Sequence, residues 1–242
     1  MMASAEPHTP PSRMRQMALN TGKAFLNLLY PPSCLGCGAY LAEVTPPLCH
    51  RCLRRLEQPD PDALHARLHR LADPEALDGV FSLWLFDEGG TVQRIQHLLK
   101  YGNRPRYGVA LGRLMGTAYT DRSLPDLVLP IPLHRARLYE RGYNQSAMLA
   151  TGMAESLGIP IATDLLIRTR ATRSQTRLSR EARWQNVSGA FAVTDTEAVA
   201  GKHILLIDDV LTTGATLAAA AATLKSAGAA SITAATLALA RE

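Results

Sequence analysis

No stretch of this chain approaches the roughly 18 to 20 consecutive apolar residues that a membrane-spanning helix requires, so such a span is excluded from the reading. Aromatic residues make up only 5% of the 242 positions, and Tyr101, Tyr139, Tyr143 and Trp184 are the candidates singled out near basic residues. Any binding by ring stacking has few candidates. Arg13, Arg15 and Lys23 flank a short apolar run at 24–29, but no small-residue cleavage site follows; a secretory signal is not expected, and the cytoplasm is the expected compartment. Charge of one sign is also scarce overall, with a net of only +5. It is concentrated, however: 165–184 carries Arg168, Arg170, Arg173, Arg177, Arg180 and Arg183 against Glu181 alone. An anionic ligand is expected to meet that segment. Hydrophobic content of 47% and charged content of 19% are those of a globular protein, long enough for one large or two modest domains.

Cysteine is confined to four positions, Cys34, Cys37, Cys49 and Cys52. Two Cys-x-x-Cys knuckles eleven residues apart let four thiolates converge on a tetrahedral ion, and Zn²⁺ is the usual occupant. Disulfide pairing is the alternative, disfavoured in a reducing compartment. A module of this size buries little core of its own, so its Zn²⁺ is expected to be structural. Arg51, Arg54 and Arg55 beside it could face nucleic acid or simply solvent.

The chain is organised around 204–216. Ile204-Leu205-Leu206-Ile207 reads as a strand buried on both faces, ending at Asp208 and Asp209. Val210 and Leu211 lead into the loop Thr212, Thr213, Gly214, Ala215 and Thr216, and an Ala/Leu-rich helix over 217–227 follows. Unpaired N–H groups at the start of that helix suit a phosphate; the threonine hydroxyls add donors, and Gly214 lets the backbone come close. No Lys-Ser or Lys-Thr pair follows the glycine, so this is not a Walker loop. The two carboxylates could accept from the hydroxyls of a ribose, or merely cap a helix. Taken whole, apolar-apolar-Asp-Asp-Val-x-Thr-Thr-Gly-x-Thr resembles the phosphoribosyl-pyrophosphate (PRPP) signature of type I phosphoribosyltransferases. That resemblance implies a parallel α/β sheet with flanking helices, here preceded by a small zinc-ribbon module.

In chain order, 1–29 is a tail and helix-compatible stretch and 30–58 is the zinc ribbon. The stretch 57–78 is a connector with room for one short helix, and 79–242 is the phosphoribosyltransferase-like domain. The His65 and His69 pair in the connector is spaced for a metal or for a solvated helix face. In the second domain we expect strands at 80–86, 127–132, 165–167 and 231–239, with helices at 91–99, 106–120 and 144–157. Arg135, Arg137 and Arg141 fall in a strand-end loop which, by the same resemblance, would hold the pyrophosphate of PRPP. The segment with Arg173 and Arg177 reads as a mobile basic lid, or alternatively as a solvated helix.

The runs 129–134 and 140–145, with the later Gln175, Leu178, Arg183, Asn186 and Phe191, are similar to motifs of the ComF family, as is the four-cysteine module ahead of them. The resemblance implies a role in DNA uptake and natural transformation, PRPP and single-stranded DNA as ligands, Mg²⁺ with PRPP, and a DNA-translocating helicase as partner. Catalysis, with Asp208 and Asp209 as its residues, would transfer a phosphoribosyl group to a small acceptor outside competence, in a gluconate-related (GntX-like) or salvage role. A third reading is a structural adaptor that binds neither ligand. No nucleobase pocket is legible in the sequence.

Overall fold

The computed structural model describes residues 31–44, 46–71, 73–120, 124–171 and 186–241. The stretch expected to be helical over 14–29, and the lid segment with Arg173, Arg177 and Trp184, lie outside these residues. Four strands form one parallel sheet: β1 (Gly79–Leu85), β2 (Leu127–Pro130), β5 (His203–Leu211) and β6 (Ser231–Leu239), in the order β1-β6-β5-β2. The central pair is the most apolar, with Ile204 to Ile207 and Ala234 and Ala235 fully buried. Such runs fit a strand covered on both faces. Two further strands, β3 (Leu166–Arg168) and β4 (Phe191–Val193), pair antiparallel with each other outside that sheet.

Among the described residues the helices are α1 (His50–Leu53), α2 (Pro61–His69), α3 (Thr91–Tyr101), α4 (Pro105–Ala118), α5 (Arg135–Arg141), α6 (Gln145–Leu157) and α7 (Ala215–Ser226). One hydrophobic cluster joins α7 to one side of the sheet, with Leu71, Leu77 and Phe191. The other gathers α3, α4 and α6 with Leu205, Ile207 and Ala235. The result is helices on both faces of a parallel sheet. The cysteine module belongs to the second cluster, since Cys34, Leu35, Leu48 and Cys52 pack with Val92, Ile95 and Leu99.

Three expectations need correction. The strand expected to stop at Asp208 and Asp209 runs on to Leu211, because β6 continues beside it through Asp208 with Thr236 and Leu211 with Leu239. Both aspartates therefore sit within the ladder. The strand expected over 127–132 ends at Pro130, and the loop expected to carry Arg135, Arg137 and Arg141 is the helix α5. His134 caps it, with Nδ1 accepting from the Ala136 N–H at 3.3 Å, and Gly142 ends it in the left-handed conformation. Local capping at both ends is the reason.

Helices α4 and α6 meet backbone to backbone. A Cβ on Gly152 would lie 1.9 Å from the Val109 carbonyl oxygen, and one on Gly112 would lie 2.0 Å from that of Leu149. This contact carries the first turn of α6 to the sheet end. Gly152→Ala is expected to force the helices apart and cost about 3 kcal/mol, near the upper end for overpacking. An unchanged denaturation midpoint would contradict the close contact.

Candidate functional site

The site grows from the C-terminal end of β5, the end at which open α/β sheets bind ligands. Asp209 is 6% exposed, and its carboxylate is held by α3: Lys100 Nζ lies 2.6 Å from Oδ2, and Gln96 Nε2 donates to the same oxygen at 3.1 Å. Burial opposes its charge, but the Lys100 ammonium and these hydrogen bonds outweigh it and hold its pKa below the usual carboxylate range. Asp208 finds a different partner. Its Oδ1 accepts from Ser146 Oγ at 2.9 Å and from the Asp209 N–H at 2.8 Å. Burial, joined by repulsion from Asp209, pushes Asp208 up to about 7 despite those donors. Ser146 stands there because Asn144 caps α6, its side-chain oxygen accepting from the Ser146 N–H at 3.0 Å while Nδ2 donates to the Ile131 carbonyl at 2.9 Å.

The raised pKa makes a prediction. Between an ordinary carboxylate value and about 7 the native state keeps a proton that the unfolded chain has lost, so the contribution of Asp208 to stability is lost as pH rises through about 7. Relative to Asp208→Asn, the wild type is expected to lose stability from about pH 4 to about pH 7 in denaturant titrations. Parallel pH profiles for the two proteins would count against it.

Positive charge surrounds the pair. The guanidinium of Arg168 is held below its usual basicity by burial, against the pull of Asp208, with Arg137 adding to the burial effect. Arg141 is placed further along α5, where Nη1 donates to Gln145 Oε1 at 2.8 Å, and Arg135 is exposed. Sequence reasoning missed Lys100, Gln96 and Ser146 as members of the site.

Beyond Val210 and Leu211, Thr212 to Thr216 form the turn into α7. Gly214 adopts φ +74° as the residue before the helix, and a Cβ there would lie 2.0 Å from Leu71 Cδ2. The turn is thus braced from outside by the connector: Arg67 donates through Nη1 to the Thr212 carbonyl and through Nη2 to that of Ala240 at 2.7 Å. Thr213 Oγ1 is buried and has no hydrogen-bond partner among the described residues. A buried donor left unpaired beside a helix N-terminus is the chemistry an anion would satisfy.

The four cysteine sulfurs all lie within 4.8 Å of one another, and Cys37 and Cys49 Sγ are 3.7 Å apart. That spacing is too long for a disulfide and matches the edge of a tetrahedron with metal–sulfur bonds of about 2.3 Å. Burial opposes the Cys34 thiolate, yet backbone N–H groups of Cys49, Cys37 and Gly36 lower its thiol to about 6. The donor set fits Zn²⁺. His50, next to Cys49, is not among these ligands. The other pair, His65 and His69, is exposed with its Nε2 atoms 3.0 Å apart.

The sheet is a parallel one with helices on both faces, and the family model of the phosphoribosyl transferase domain matches residues 144–242. The particular relatives are named for DNA utilization and for competence. The chain is 37% identical over 142 residues to the DNA utilization protein YhgH of Salmonella typhimurium, covering 56% of this chain and 62% of that protein. It is 35% identical over 126 residues to Competence protein F of Haemophilus influenzae, covering 49% and 55%. These homologues bear out the ComF resemblance; the chain spans under two thirds of the length of each. Among solved structures it is similar to the glutamine PRPP amidotransferase of B. subtilis, at 22% identity and TM-score 0.40 over 58% of this chain and 30% of that one. It is also similar to the adenine phosphoribosyltransferase of Leishmania tarentolae, at 17% and 0.36 over 65% and 91%. Among the described residues no helix is long and apolar enough to cross a membrane.

Proposed function

We propose that the chain binds PRPP, accompanied by Mg²⁺, at the C-terminal end of β5, and that it serves DNA uptake and natural transformation by also holding incoming single-stranded DNA. The observation that carries the first half is the buried, unpartnered Thr213 hydroxyl at the start of α7, one turn from the aspartate pair. The turn of Thr212 to Thr216 would donate to the 5-phosphate. Asp208 and Asp209 would accept from the ribose hydroxyls, with Val210 and Leu211 setting the distance between the two groups. Mg²⁺ would supply charge neutralisation between ribose and pyrophosphate. The DNA half is supported by the names of the relatives, and by the basic groups Arg135, Arg137 and Arg141, joined in the sequence by Arg173 and Arg177. The ComF resemblance adds a DNA-translocating helicase as partner and the cytoplasm as compartment.

Calorimetry with PRPP, ribose 5-phosphate and Mg²⁺ is the test: saturable heat with PRPP supports the reading, and no heat with either sugar phosphate overturns it. A transferase reading is favoured by one observation, the Lys100 ammonium paired with Asp209 at the sheet end. Lys100, which holds Asp209 at 2.6 Å, would stabilise negative charge growing on a departing pyrophosphate. Magnesium-dependent pyrophosphate release that requires an added acceptor is its measure.

A further inference from the structure

A cleft of about 410 Å³ opens between the C-terminal ends of α3 and α5, small within the usual range of ligand pockets. Its walls include two tyrosines that are unusually bare: Tyr101 is 64% and Tyr139 93% exposed. Rings of that size are ordinarily covered, or face something flat. Tyr101 is also held in place. The Arg141 guanidinium lies 5.8 Å from its ring centroid, the His97 ring is 4.9 Å away, and Arg141 is itself tethered to Gln145.

The remaining lining joins the cations Lys100 and Arg141 to two groups that can read the edge of a base. Asn103, with φ +46°, is the only non-glycine residue with positive φ among those described, and it presents an amide at the cleft. Glu140 brings a carboxylate that repels a bare phosphate but accepts from exocyclic amino groups. Lys100, the residue paired with Asp209, also lines the cleft and joins it to the aspartate site.

We propose that this cleft binds a nucleobase, stacked on Tyr101 and Tyr139 and read along its edge by Asn103 and Glu140. The source is a single strand or a free nucleotide, and exposed Arg104 and Arg106, next in the chain, would meet the attached phosphates. The strand source rests on the DNA half of the proposed function; the cleft itself does not.

The test is fluorescence anisotropy with a labelled oligodeoxynucleotide, an abasic strand of equal length and a labelled nucleoside monophosphate, on the full chain. Tyr101→Ala with Tyr139→Ala is expected to weaken binding of the base-bearing ligand roughly ten- to hundredfold. The abasic strand should show no such loss, and Tyr101→Phe with Tyr139→Phe should restore binding. Nucleotide binding that depends on the tyrosines, without strand binding, upholds the cleft and overturns the DNA half of the function. Strand binding that is indifferent to the tyrosines overturns the cleft alone. Failure of every base-bearing ligand to bind the wild type overturns both.

Discussion

Asp208→Asn combined with Asp209→Asn is expected to abolish measurable PRPP binding while leaving affinity for single-stranded DNA within about twofold. Each carboxylate would accept charge-assisted hydrogen bonds worth roughly 1.5–3 kcal/mol, so losing two weakens binding by about 10² to 10⁴. Asn keeps the shape of Asp and presents only one acceptor oxygen, so the loss reports charge rather than packing. Asp209→Asn alone is expected to be the less stable of the two single variants. It leaves the Lys100 ammonium, 22% exposed, without its counter-ion. Asp208→Asn removes a carboxylate that burial already disfavours. Calorimetry reads the binding and thermal melts separate it from folding; PRPP affinity that survives in the double variant would sink the aspartate assignment.

What the sequence disclosed follows the range of the interactions. The strand around Ile204 to Ile207, the threonine turn, α7 and the cysteine quartet are written in consecutive residues, and each was readable. Gln96 and Lys100 are not, because they reach Asp209 from more than a hundred positions upstream; Ser146 reaches Asp208 across 62. Nothing in the local pattern of α3 distinguishes a solvent-facing Lys100 from one turned into the sheet end. Helix α5 was hidden for another reason. Its arginines and bare Tyr139 give no apolar stripe, and only the caps at His134 and Gly142 mark it. The glycines Gly108, Gly112 and Gly116, repeating every four residues, were a legible sign that α4 meets another helix closely. The connector helix α2 was legible too, since Asp60 before Pro61 is a cap followed by a first-turn proline. That its Arg67 would brace the phosphate turn was not.

Stripping Zn²⁺ from a cysteine module loaded with it is expected to impair the distant aspartate site, because one helix serves both. Arg94 Nη1 donates to the Gly36 carbonyl at 2.6 Å, and a Cβ on Gly36 would crowd Cys52 Sγ at 2.8 Å and Thr91 Cγ2 at 3.1 Å. The first turn of α3 is thus seated against the first knuckle. One to two turns further along, Gln96 and Lys100 hold Asp209. With Zn²⁺ absent, four sulfurs within 4.8 Å lose the charge that lets them stand together as thiolates, and metal binding of this kind is itself folding free energy. Because Cys34, Leu35, Leu48 and Cys52 share a core with Val92 and Ile95, the damage passes to α3. Chelation, or Cys52→Ser, is expected to lower the melting temperature by about 10 °C or more and to weaken PRPP binding at least about tenfold. Metal released per chain, the melt and calorimetry check it together. A zinc-free protein that melts and binds as before would show that the module and the aspartate site are energetically independent despite their common helix.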